Sequence, residues 1–136
     1  MVQQIEFSLP QLKRGIHLIS DEIKNQLTEL PEKGLLHIFV KHTSAAIGIN
    51  ENADPSVRND LHISLENLVP ERQPHFTHLD EGPDDMPSHI KLALVGNEIT
   101  VPITNHKLNL GVWQGFYFFE FRNNPAPRKL VLTIMS

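Results

Sequence analysis

Apolar residues at Ile5, Phe7 and Leu9 alternate with polar neighbours, which predicts a half-buried strand over residues 3–9 closed by Pro10. After Gly15, Ile16 to Ile19 predicts a second short strand. The period then becomes helical. Ser20 can cap a helix whose first turn carries Asp21 and Glu22 at the positive end of the dipole, and Ile23, Leu27 and Leu30 share one face up to Pro31. Leu35 to Val40 reads as a buried strand running into His42-Thr43-Ser44, and Ala45 to Ile49 resumes strand character. Asp54-Pro55 pairs a capping carboxylate with a proline at the first helical position, and Val57, Leu61, Leu65 and Leu68 trace one face of a helix over 55–69. Residues 71–84 are polar and irregular, anchored only by Phe76 and Leu79; unstructured loops of that length are uncommon and often functional. Met86-Pro87 opens a third helix through Ile90 and Leu94, with Gly96 able to close it.

Four strand signals follow, at Ile99–Ile103, Leu108–Leu110, Val112–Arg122 and Leu130–Met135. The third has two large apolar faces. Trp113, Gly115, Tyr117, Phe119 and Phe121 share one, while Phe116 and Phe118 share the other with Val112, Gln114, Glu120 and Arg122, so the strand should be covered on both sides. Seven or eight strands with three helices predict an α+β domain with a mainly antiparallel sheet.

Composition narrows the function classes. The 136 residues suit one domain, and 40% hydrophobic with 21% charged residues is the balance of a folded globular chain. With no cysteine, disulfides, thiolate nucleophiles and cysteine-based zinc sites are excluded. A net charge of -4 with no basic block argues against non-specific nucleic-acid binding. No apolar run approaches the ~20 residues of a membrane helix, and the N-terminus lacks the pattern of a secretory signal, so a cytoplasmic protein without a membrane partner is expected.

Polar residues gather in four places: His42-Thr43-Ser44; Asn50-Glu51-Asn52 with Asp54 and, further on, Asp60; the group His75, His78, Asp80, Asp84, Asp85, His89 and Lys91; and Gln114, Glu120 and Arg122. Each has a plain alternative. Asp54 is explained by capping, Asp60 by solvation, His42 by a backbone hydrogen bond at the core edge, and Glu120 with Arg122 by pairing along one strand face. The third group carries the strongest site argument, because His78 and His89 bracket a turn holding two adjacent carboxylates. Two chemistries need such residues. Histidines with a carboxylate and an open position suit zinc or another transition metal; carboxylates holding Mg²⁺ suit a site where Lys, Arg and hydroxyls hold phosphate oxygens.

The stretches HTSAAIGINENADPSVRNDL (42–61), HLDEGPDDMPSHIKLALVG (78–96), VPI (101–103) and LGVWQGFYFFEFRNNPAPRKLVLTI (110–134) together resemble the YjbQ-like family, often described as secondary thiamine-phosphate synthase. The resemblance implies an α+β fold, a β-sandwich or barrel with helices on one side, assembling as a homotrimer. It implies thiamine-phosphate synthesis, the joining of hydroxymethylpyrimidine pyrophosphate to thiazole phosphate with loss of pyrophosphate. Carried over by position, His42, Glu51, Asp60 and Asp84 would be catalytic. Thr43, Ser44, Asn50, Lys91, Gln114 and Arg122 would bind a phosphate-bearing substrate, and His42, His78 and His89 would hold a divalent metal, Mg²⁺ or Zn²⁺. Two departures accompany the match: Asp85 where the family usually has asparagine, and Asn105-His106-Lys107 at a turn where glycine is common. A non-enzymatic trimeric module that binds a small ligand, and a metal-dependent hydrolase, are the rival readings.

Overall fold

The computed structural model describes residues 1–136. In chain order the elements are β1 (Val2–Ser8), β2 (Gly15–Leu18), α1 (Ser20–Gln26), β3 (Lys33–Val40), β4 (Ala45–Glu51), α2 (Pro55–Leu68), α3 (Asp85–Val95), β5 (Glu98–Thr104), β6 (Lys107–Leu108), β7 (Gln114–Glu120) and β8 (Lys129–Met135). The strands pair antiparallel into two sheets, a five-stranded one in the order β1-β8-β3-β5-β6 and a three-stranded one in the order β2-β7-β4.

Strand alternation places the core. On β3, Leu36, Ile38 and Val40 are fully buried, while Leu35 and Phe39 point to solvent. The inward set joins Val101 and Ile103 of β5, Leu130 and Leu132 of β8, Ala45 and Ile47 of β4, and Phe116 and Phe118 of β7 in one cluster between the sheets. The other face of the three-stranded sheet presents Ala46, Tyr117 and Phe119, joined by Phe121 just past β7 and covered by Leu61 and Leu65 of α2 with Leu92 and Val95 of α3. β7 is therefore covered on both sides, as its two apolar faces require, and the molecule is an α+β sandwich with three helices.

The elements differ from expectation mainly at their ends. β2 starts one residue early, at Gly15, and Ile19 occupies the N-cap of α1 without a side-chain cap bond. Ser20 does not cap α1; its Oγ accepts a hydrogen bond from the Phe116 amide at 3.0 Å. α1 stops at Gln26 because Leu27 is already extended (φ -91°, ψ 124°), and Leu27 and Leu30 reach the core from the following loop. The long strand shrinks to 114–120: Val112 and Trp113 are exposed at 80% and 62%, in a turn closed by Gln114 N–H donating to the Gly111 carbonyl. β6 is only two residues long, after a turn in which Asn105 and His106 take φ of 51° and 63°. That left-handed backbone is where glycine is ordinarily placed, so Asn105 and His106 hold a conformation here that glycine adopts more readily. α2 begins as expected, with Asp54 Oδ1 accepting from the Ser56 amide at 2.9 Å, but none of its residues is fully buried and Leu68 lies in solvent. No helix is long and apolar enough to cross a membrane.

Candidate functional site

The first turn of α3 docks on the end of β7. Ser88, fully buried, donates from Oγ to the Asp84 carbonyl at 2.5 Å and contacts the Phe121 carbonyl at 3.1 Å. Gly82 takes φ +98°, and a side chain there would crowd Asp84 Oδ1 at 3.0 Å, so the loop needs glycine to bring two acids to the helix start. Asp84 does not cap α3 with its carboxylate. Asp84 Oδ2 instead accepts from Arg122 Nε and from the Asn123 amide, both at 2.9 Å. Arg122 also donates to Asp85 Oδ1 and, at 2.8 Å, to the Glu81 carbonyl.

Asp85 is the hub. Its Oδ2 lies 2.6 Å from His78 Nε2 and 3.1 Å from His89 Nε2, and one ligand atom from each of the three residues falls within 4.8 Å of the others. Four residues apart on a helix, Asp85 and His89 share a face. His89 Nδ1 lies 2.6 Å from the Thr43 carbonyl, an acceptor only, so Nδ1 carries the proton. Nε2 is then the ring nitrogen that faces the Asp85 carboxylate, where a metal ion or a second proton would complete the contact. Burial pushes the Asp85 carboxyl up, yet the hydrogen bond to His78 and the His89 and Arg122 charges outweigh it and hold it below its ordinary value. Asp84 is held down the same way, against burial, by the Asn123 amide and Arg122. His78 is half exposed and Asp85 nearly buried, so the cluster opens to solvent through His78.

Other predicted residues sit differently. His42 is not grouped with His78 and His89: its Nε2 accepts from the Lys129 amide at 2.7 Å, the core-edge role. Burial and the Arg128 charge lower its pKa, against Glu120, in keeping with a ring nitrogen that accepts. Lys91 is fully buried, with Nζ donating to Glu66 at 2.7 Å and lying 5.5 Å from the centre of the Phe121 ring. Glu66 also receives Arg14, so neither Lys91 nor Arg122 is a free cation for phosphate. Glu120 does not pair with the Arg122 side chain. It accepts two hydrogen bonds from Arg128, at 2.7 and 2.6 Å, and Arg128 in turn reaches Ser44 Oγ at 3.1 Å. Thr43 contributes its carbonyl to His89 and its side chain is exposed.

Asn50, Glu51 and Gln114 lie at the opposite end of the β4–β7 pair, where Glu51 is the register partner of Gln114; the other end is Ala45 with Glu120. Six steps of strand separate the ends by about 20 Å. Within one chain Glu51 is therefore remote from the histidines. Its carboxylate accepts from the Asp54 amide, Asn50 Oδ1 from the Glu51 amide, and Gln114 Oε1 from the Gly111 amide. Asp60 is exposed on α2. The family resemblance assigns Asp85 no role, although its position four residues before His89 is the signal that could have found it. Arg128, placed by the turn that ends in Pro127, carries no such signal.

Residues 4–136 match the protein family described as "UPF0047 protein YjbQ-like". The chain is 43% identical over 138 residues to the UPF0047 protein YjbQ of Salmonella typhimurium, covering 100% of this chain and 99% of that one. It is 46% identical over 101 residues to the UPF0047 protein sll1880 of Synechocystis, covering 74% and 69%. Among solved structures it is similar to an uncharacterized conserved protein of the YjbQ/UPF0047 family from Clostridium acetobutylicum (TM-score 0.80, 33% identity, 96% and 99% covered). A conserved hypothetical protein from Thermus thermophilus is similar too (TM-score 0.81, 30% identity, 93% and 97% covered).

Proposed function

We propose a function for this chain from the premise that it belongs to the UPF0047 family of YjbQ-like proteins: it is a divalent-metal-dependent enzyme acting on a small phosphate-bearing molecule at His78, Asp85 and His89. The observation that carries this reading is the convergence of two imidazoles and one carboxylate within 4.8 Å, with His89 oriented by the Thr43 carbonyl and Asp85 by Arg122. A set of two nitrogens and one oxygen suits zinc or a similar first-row ion better than Mg²⁺, which prefers oxygen throughout. Three protein ligands leave a position for water or substrate, the arrangement of catalytic rather than structural metal sites. Such an ion polarises a phosphoryl oxygen and lowers the pKa of bound water.

The chain's own groups have separable roles. The Thr43 carbonyl fixes the His89 tautomer so that Nε2 is the available nitrogen, and Arg122 holds one Asp85 oxygen so that the other faces the imidazoles. His78, the most exposed member, marks the side from which a ligand enters. Within this class the family resemblance points to thiamine-phosphate synthesis. Since Lys91 and Arg122 are held by Glu66, Asp84 and Asp85, neutralising the departing pyrophosphate would fall to the metal centre. Homotrimeric assembly and a cytoplasmic location belong to the same proposal; light scattering should find a particle of three 15.5 kDa chains.

Elemental analysis of protein purified without chelators tests the centre. About one zinc, or an equivalent first-row ion, should accompany each wild-type chain and be lost in Asp85→Asn and His89→Ala, both folded. Wild-type protein free of metal, and unable to take up zinc added at stoichiometry, would overturn it. Thiamine phosphate formation from both precursors tests the narrower reaction. Turnover in wild type that vanishes in Asp85→Asn sustains it. Inactivity of the metal-loaded wild type, equal to that of Asp85→Asn, removes the synthase assignment and leaves hydrolysis of a phosphate ester as the reaction to assay.

A further inference from the structure

Three of the five arginines are committed to carboxylates, and a fourth, Arg72, is exposed and unpaired. Arg14 is bound by Glu66 and Glu71, Arg122 by Asp84 and Asp85, and Arg128 by Glu120. Arg58 differs. No carboxylate pairs with it, none of its guanidinium nitrogens donates a hydrogen bond within the protein, and its Nη1 is the one buried side-chain nitrogen or oxygen left without a partner. The guanidinium lies 6.0 Å from the centre of the Tyr117 ring, so packing confines it instead of leaving it free in solvent. A planar cation desolvated on one edge and unpaired on the other is costly unless an anion completes it.

Arg58 lines a groove of about 370 Å³ between the start of β2 and α2, with Lys13, His17, Asn59 and His62 around it and Arg14 at its wall. No aspartate or glutamate lines this groove, although acids outnumber Lys and Arg in the chain, 16 to 12. Its geometry follows from the sequence. Arg58 and His62 are four apart and share one helix face, and Gly15, at φ +141°, turns the chain between Lys13 and β2. His17 Nε2 donates to the Lys13 carbonyl at 2.6 Å, which fixes that turn. The nearby acids are engaged elsewhere: Asp54 caps α2 through the Ser56 amide, and Glu66 holds Arg14 and Lys91. The start of α2 is thus capped, and the groove's donors are side chains.

We propose that this groove is a phosphate-binding site for a small-molecule ligand, with Arg58 and Lys13 holding the phosphoryl oxygens and His62 and Asn59 bordering them. It shares no residue with the His78–Asp85–His89 cluster and does not depend on a metal there. The electrostatics agree. The His62 pKa is lowered, first by burial and then by the positive charges of Lys91, Arg14 and His17, with Glu66 opposing. A phosphoryl dianion in the groove would oppose the part of that shift due to positive charge, so binding and His62 protonation are coupled.

Titration of the protein as purified with inorganic phosphate, followed by NMR of the arginine Nε–H and histidine imidazole signals at low salt, tests the site. The Arg58 and His62 signals should shift and saturate together, and the His62 pKa should rise on saturation. Arg58→Gln should weaken binding at least about tenfold, and Lys13→Glu, on an exposed loop, should weaken it several-fold even if Arg58→Gln misfolds. Asp85→Asn should leave the titration unchanged. Shifts confined to His78 and His89, shifts that do not saturate, or unchanged affinity in Lys13→Glu would each overturn the proposal. A phosphoserine peptide binding much more tightly than phosphate or a sugar phosphate would overturn the small-ligand assignment.

Discussion

The two ends of the three-stranded sheet use similar residue types for different purposes. At one end, beside Ala45 and Glu120, charged groups from the 78–89 segment, the end of β7 and the turn before β8 converge and bind one another. At the other, beside Glu51 and Gln114, the polar side chains are spent on backbone amides of adjacent turns. Asp84 and Asp85 meet Arg122 from 38 and 37 residues away, whereas the side-chain acceptors of Asn50, Glu51 and Gln114 are used within one to three residues. The proposed chemistry is placed at the first, because convergence from separate segments aims several ligand atoms of different kinds at one point. Local caps use up their lone pairs where they stand.

The largest way to break the contrast is at Arg128. Arg128→Ala leaves Glu120 fully buried without its cation and should destabilise the fold by about 3–5 kcal/mol in urea unfolding. Replacing both partners with apolar residues of similar size should recover much of that loss. A second test is acid. Asp84, Asp85 and Glu66 have folded pKa values below their ordinary ones, so their stabilisation is complete above about pH 5 and is lost as pH falls through about 4 and below. Asp85→Asn should flatten part of that decline, whereas Gln114→Ala, at the other end, should leave its shape alone.

His42 separates the family-derived role from the one the geometry supports. His42→Ala removes the acceptor of the Lys129 amide and should cost about 1–3 kcal/mol while bound metal stays at the wild-type level. Because its pKa is depressed in the fold, its contribution is present above about pH 6.5 and declines as pH falls below that value. Loss of metal in this variant would return His42 to the ligand set. The smallest effect belongs to a local cap: Asp54→Ala should lower the midpoint of thermal or urea unfolding slightly and leave bound metal at the wild-type level.

Local rules were enough for most elements. The alternation in β1 and β3, the Asp54-Pro55 start of α2 and the two apolar faces of β7 could be read directly, because each depends on neighbours within a few residues. Element ends were harder. Ser20 is an ordinary capping residue, yet its hydroxyl is taken by the Phe116 amide from across the sheet. Val112 and Trp113 fit a strand pattern but stand in a turn, because Gln114 closes back on Gly111.

The site divides along the same line. That His78, Asp84, Asp85 and His89 sit together follows from their spacing, since a short loop and one helical turn join them. The family follows from the sequence too, through motifs spread over most of the chain. Which oppositely charged groups meet depends on the folded arrangement. Arg122 goes to Asp84 and Asp85, Arg128 to Glu120, Lys91 to Glu66, and Arg58 to no carboxylate. Those pairings depend on strand register and on how α2 and α3 lie across the sheet, where burial lets each cation reach some acids and keeps it from others.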